Sequence, residues 1–191
     1  MMKKFLAILV LGLFLITPSQ ADDIRDFQIE GMSIGDSALD YVSEEYINQN
    51  KTYFYKSKKF AVTNKTDSSF KIFEGVQFHF IDNDKNYLIH TLDGHISYEN
   101  NIKDCYKKKD EIVEELSSLF KNAKRRTVNG HKHDYDKSGK SKVSYVSFIL
   151  ESGEIDVACM DWSDEMEFGD RLTVGLETKE FRNFMENEAY K

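Results

Sequence analysis

The sequence predicts an α+β domain: an antiparallel, meandering sheet with helices packed on one of its faces. Three observations carry this. Short segments such as Val76, Phe78 and Phe80 alternate with polar residues, the period of a strand with one buried side. A longer segment places Ile102, Cys105, Ile112, Leu116 and Leu119 on one helical stripe. The chain order reads helix, strands, helix, strands, helix, with strands joined by turns, and segregated helices on a meander make an α+β architecture. Because helix-then-strands occurs twice, the pattern also suggests a weak internal duplication.

The elements follow in order. Phe27 and Ile29 alternate with polar neighbours and read as a short strand. Gly31 and Gly35 flank a turn, and Asp36 or Ser37 is placed to cap a helix over about 37–48 whose apolar side is Ala38, Leu39, Val42 and Tyr46. Tyr53–Tyr55, Phe60–Val62 and Phe70–Phe73 are short strand candidates rich in aromatic and branched residues. Residues 76–80 and Tyr87–Tyr98 form a hairpin around the turn chemistry of Asp82-Asn83-Asp84-Lys85-Asn86. Residues 101–123 form the longest helix. Lys121, Lys124, Arg125 and Arg126 close it, where cations favour the dipole, and Lys107–Lys109 are solvated. Val143–Leu150, Glu154–Trp162 and Arg171–Glu177 are strands, the first two joined by a tight turn at Ser152-Gly153. Lys179–Asn187 is the closing helix.

The N-terminus bears on location. Lys3 and Lys4 precede the uncharged run Phe5–Ile16, and Pro18-Ser19-Gln20-Ala21 follows. A basic head, an apolar stretch and a small-residue site are the parts of a cleavable secretory signal peptide. Residues 1–21 are therefore expected to be removed after Ala21, leaving residues 22–191 as a single domain that is periplasmic or secreted. The signal carries two lysines and no acid. The remainder holds 24 basic against 33 acidic residues, a formal charge of −9. Such a balance opposes nucleic-acid binding, and no further apolar run is long enough for a transmembrane segment. In an exported protein, Cys105 and Cys159 read as a disulfide tying the long helix to a late strand.

Several motifs invite chemistry. Gly35-Asp36-Ser37 resembles the nucleophile block of GDSL-type esterases, which would make Ser37 a hydrolase nucleophile. That family pairs it with Asp-x-x-His, and no such spacing exists in the chain. Gly139-Lys140-Ser141 matches the end of a P-loop, but Asp134 occupies the first glycine position and a strand follows, so it reads as a hairpin loop. Asp134-x-Asp136-x-Ser138-Gly139 opens like a calcium loop but has Tyr145 where the bidentate glutamate belongs. His131, His133, Asp134 and Asp136 are weak metal candidates, since alternate strand positions share a face. No cofactor is expected. Within the basic segment 121–142, Lys124, Arg125, Arg126 and Lys132 are candidates for an anionic partner such as a glycan or lipid headgroup. The acidic stretch 151–170 is its natural counterpart. Trp162 reads as a residue that caps the core.

The stretch Asp26-Phe27-Gln28-Ile29-Glu30-Gly31-Met32-Ser33-Ile34-Gly35-Asp36-Ser37-Ala38-Leu39-Asp40-Tyr41, with Asp134–Ser141 and Cys159-x-Asp161-Trp162-Ser163, resembles a group of small exported hypothetical proteins from marine bacteria. The resemblance covers most of the chain after Ala21 and implies one exported domain without a mechanism. A looser likeness, Gly-Met followed by a helix and strands, is to BamE-like envelope proteins, whose lipidated cysteine has no counterpart here. The expected function is a non-enzymatic binding or interaction domain of the cell envelope, with an envelope protein or an anionic glycan or lipid headgroup as partner. The alternatives are a hydrolase using Ser37, or metal or anion binding through residues 131–142.

Overall fold

The computed structural model describes residues 23–99 and 101–191; the expected signal peptide lies outside them. The elements are α1 (Glu44–Asn50), β1 (Phe60–Lys65), β2 (Gly75–Ile81), β3 (Thr91–Glu99), α2 (Ile102–Leu119), β4 (Lys124–Lys132), β5 (Lys142–Ile149), β6 (Gly153–Asp161), β7 (Asp170–Thr178) and α3 (Lys179–Asn187). All seven strands form one antiparallel sheet in the order β1-β2-β3-β7-β6-β5-β4. Two meanders, β1–β3 and β4–β7, meet where β3 pairs with β7. The α+β class and the antiparallel meander are as the sequence predicts, and each meander follows a helix.

Helix α2 makes this topology possible. The chain must travel from β3 to the far edge at β4, four strand spacings or roughly 19 Å. Eighteen helical residues cover about 27 Å, and α2 crosses over β7 and β6 on the way. Its buried stripe contains Cys105, Ile112, Val113 and Leu116. Beneath it lie Leu92, Leu172, Val174, Ile155, Val157 and Phe148, all buried. Full burial of each such side chain contributes about 1.5–3 kcal/mol. The Cys105–Cys159 disulfide, with its Cα atoms 6.0 Å apart, bonds the helix to β6. Lys109 corrects the expectation of solvated early lysines: it is 7% exposed, and its ammonium pairs with Asp110 at 2.5 Å.

Four local differences have physical causes. The helix expected at 37–48 is a 3-10 turn, Ala38–Asp40, followed by α1, because two serines each cap a start: Ser37 accepts from Leu39 N–H and Ser43 from Tyr46 N–H. Phe70–Phe73 forms no strand because the Glu30 carboxylate takes the N–H groups of Lys71, Ile72 and Phe73 at 2.8–2.9 Å, leaving no donors for a ladder. Ile29 pairs only with Met32, and Tyr53–Tyr55 forms no strand. Residues 124–132, expected as helix end and loop, are the edge strand β4, and α2 stops at Leu119.

The placement of α3 also departs from helices on a single face. Its Phe181 and Phe184 pack on Phe60 with ring centroids 5.0 and 4.9 Å away. Phe60 faces the side of the sheet opposite α2, so α3 follows it there and covers one end of that side.

Candidate functional site

Alternation along each strand sends one set of side chains to α2 and the other to the opposite face. On that opposite face the register aligns Asn64, Gln77, Asp93, Gly175, Asp156, Ser147 and Arg126 in a single row across all seven strands. The next row contains His79, Thr91, Glu177 and Glu154. These rows, apart from Ser147 and Glu154, line the floor of a cavity of about 770 Å³. Phe54, Tyr55 and Phe181 wall it at the α3 end, and Tyr145, Met160 and Arg171 at the other.

Gly175 shapes the floor. A Cβ there would lie 2.4 Å from Asp93 Oδ1, so the carboxyl leans across the bare backbone of the neighbouring strand. Asp156 is the register partner of the same glycine on β6, on the other side from Asp93, and Glu177 follows two residues along β7 on the same face. Three carboxyl-bearing residues therefore stand around one glycine that the Asp93 carboxyl partly covers.

Their environment disfavours charge. Burial, helped by the negative charge of Asp156 and opposed by Arg171, pushes the Asp93 carboxyl from its ordinary 3.8 up to about 7. Burial, then Asp156 and Asp93, raise Glu177 from 4.5 to about 7, opposed by Arg126. Asp156 is raised by burial against the Ser147 hydrogen bond and Arg126. Burial lowers His79 from 6.5 to about 4, and burial followed by Arg171 lowers His95. Both imidazoles are neutral at pH 7.

The cavity's hydrogen bonds are unevenly distributed. Arg126 donates to Ser147 Oγ at 3.2 Å and to Glu154 Oε1 at 2.8 Å. Arg182 pairs with the other oxygen of Glu154. The Ser147 hydroxyl donates to Asp156. Arg171 donates from Nε to Met160 Sδ at 3.3 Å and lies over the Trp162 ring. Burial lowers the Arg171 pKa as well, so desolvation outweighs the Asp93–Arg171 attraction for both partners. Among the described residues, none hydrogen-bonds to the Asp93 or Glu177 carboxyl.

The sequence-derived candidates fall elsewhere, with one exception. Ser37 caps its 3-10 turn, and its hydroxyl donates to Asn86 O at 2.7 Å; no described imidazole or carboxylate hydrogen-bonds to it. His131 lies exposed on β4, while the His133 ring packs 4.4 Å from that of Trp162. Asp134 is an exposed turn residue. Asp136 accepts from Ser138 N–H, from Ser141 N–H and Oγ–H, and from Ser163 Oγ–H. Those bonds, Ser141 first, hold its carboxyl well below the usual range. Asp136 thus staples the hairpin loop that contains Gly139-Lys140-Ser141. Among the described residues no group of three or more His, Cys, Asp or Glu is arranged to hold a metal. Trp162 is buried.

The exception is Arg126. Strand alternation divides the basic candidates: Arg125 lies over Phe148 and Arg126 over Tyr145. Arg126 enters the cavity wall, and Lys124 shares its face. Lys132 pairs across from Lys142, and its side chain passes beside Gly139. Asp93, Asp156 and Glu177 escaped the sequence reading. The available signal was the polar alternation Thr91, Asp93, His95, Ser97 in β3 and Arg171, Thr173, Gly175, Glu177 in β7, a pattern equally suited to a solvent-facing side. No protein-family model, curated protein or solved structure matches the chain.

Proposed function

We propose that this is an exported binding protein of the periplasm or cell envelope that holds a small organic ligand in the cavity on the open face of its sheet. The observation that carries this reading is a cavity of about 770 Å³ whose floor presents carboxyl groups without protein hydrogen bonds and whose walls are aromatic. Binding sites combine apolar and aromatic walls with a few convergent polar groups and titrating residues of displaced pKa. The disulfide and the basic-then-apolar N-terminus support export. Binding is favoured over Ser37 hydrolysis because the Ser37 hydroxyl serves the backbone on a turn that does not line the cavity.

A ligand screen followed by amide NMR tests this. Bound compounds should shift the Gly175, Asp156 and Asp93 amides, and Ala158→Trp, which fills the cavity, should abolish the shifts. Ligand-induced shifts confined to other regions, or unaltered binding by folded Ala158→Trp protein, would overturn the reading.

A further inference from the structure

Resting on the cavity reading, we infer that the occupant is a small organic cation whose primary ammonium group sits over Gly175, between Asp93, Asp156 and Glu177. Most donors around the floor are already committed. Arg126 is engaged by Ser147 and Glu154, with Arg182 on the other oxygen of that glutamate. Arg171 is turned to Met160 and Trp162. His79 and His95 bring no positive charge at neutral pH. Three carboxyls thus face one uncommitted space, and two of them accept no hydrogen bond. Asp93 and Glu177 are half-buried and accept no hydrogen bond from the described residues, and a ligand that supplies donors and positive charge offsets the loss of solvation around them.

Geometry then narrows the class. Asp93 and Asp156 stand on strands two spacings apart, roughly 10 Å between backbones; the Asp93 carboxyl leans over Gly175, where there is no Cβ, while Asp156 pairs across from the same glycine with its carboxylate held by Ser147. The same carboxyls form no set suited to a metal ion, whose oxygen ligands must converge to about 2.0–2.6 Å. Ammonium bonds are longer, about 2.7–2.9 Å, and an organic cation also fills the volume a bare ion leaves empty. Its alkyl or ring body would lie against Phe54, Tyr55 and Tyr145, whose faces attract cations.

Isothermal titration of the full folded protein with 1,4-diaminobutane, 1,4-butanediol and succinate separates the charge classes on one carbon skeleton. The diamine should bind at least about tenfold more tightly than the diol, the difference of about one charge-assisted hydrogen bond. Asp93→Asn and Glu177→Gln should each weaken the diamine by about tenfold or more, while Lys108→Ala on the far face leaves it unchanged. Melting curves verify that each variant is folded, so its loss of binding is not loss of structure. Diol or succinate binding as tightly as the diamine, with the Gly175 amide shifting, would overturn the cation inference and leave the cavity reading standing. If no probe of any charge shifts that amide, and the broader screen also finds nothing in the cavity, both fail.

Discussion

Replacing Asp93 with asparagine should make the protein more stable at alkaline pH. In the unfolded chain Asp93 titrates near 3.8; in the fold it titrates near 7. Between those values the folded state keeps a proton that the unfolded state has released. Raising pH therefore draws the equilibrium toward unfolding, and the cost is fully present above about pH 7. A displacement of about three powers of ten corresponds to at most about 4 kcal/mol. Water in the cavity and joint titration with Asp156 and Glu177 reduce this, and about 2 kcal/mol is the working value. Asp93→Asn cannot ionise, so its stability relative to the wild type should rise from near zero at about pH 4 to about 2 kcal/mol at about pH 8.5. Urea unfolding followed by far-UV circular dichroism across that range measures it. A variant no more stable than the wild type at the alkaline end, or a difference that stays constant with pH, would refute the burial argument. A gain in stability joined to a loss of diamine binding would mark Asp93 as a residue kept for its ligand at the fold's expense.

Breaking the Cys105–Cys159 bond, which spans a sequence separation of 54, should cost about 4 kcal/mol by loop-closure entropy; for a domain of this size that lowers Tm by about 8–16 °C, read by scanning calorimetry of the Cys105→Ala/Cys159→Ala variant. Gly153→Ala should destabilise by at least about 1–3 kcal/mol, because the new Cβ would meet the carbonyl oxygen of Glu177 at 2.1 Å; chemical denaturation checks it. Glu30→Ala leaves the amides of Lys71, Ile72 and Phe73 without their shared acceptor. A loss of about 2–4 kcal/mol and faster hydrogen exchange confined to that loop are expected. Gly175→Ala should leave stability within about 1 kcal/mol of the wild type, since only the carboxyl end of Asp93 must turn away, yet it should impair diamine binding as measured by calorimetry.

The periodic patterns were legible because each records a local fact, namely which side of one element is apolar. Val76, Phe78 and Phe80 alternate because β2 buries one face, and the Cys105–Leu116 stripe is the buried side of α2. The same logic hid β4. Lys-Arg-Arg-Thr-Val-Asn-Gly-His-Lys has no apolar alternation because an edge strand exposed along nearly all its length buries neither face. Phe70–Phe73 has a strand's composition, but its amide donors went to Glu30, some forty residues earlier.

By itself the sequence determined the α+β class, the antiparallel strands and the pairing of the two cysteines, since these follow from periodicity, turn chemistry and an even cysteine count. Only the tertiary structure decided the cavity. Asn64, Gln77, Asp93, Gly175, Asp156, Ser147 and Arg126 become one row only after α2 has carried the chain to the far edge and β7 has paired with β3. Their polarity alone describes a solvent-facing side. The physical difference lies in what stands above and beside them: α3 and the aromatic walls enclose the row, and strand register packs three carboxyls around one glycine. Sequence spacing encodes neither arrangement, because a one-residue slip in any strand would turn those side chains to the opposite face.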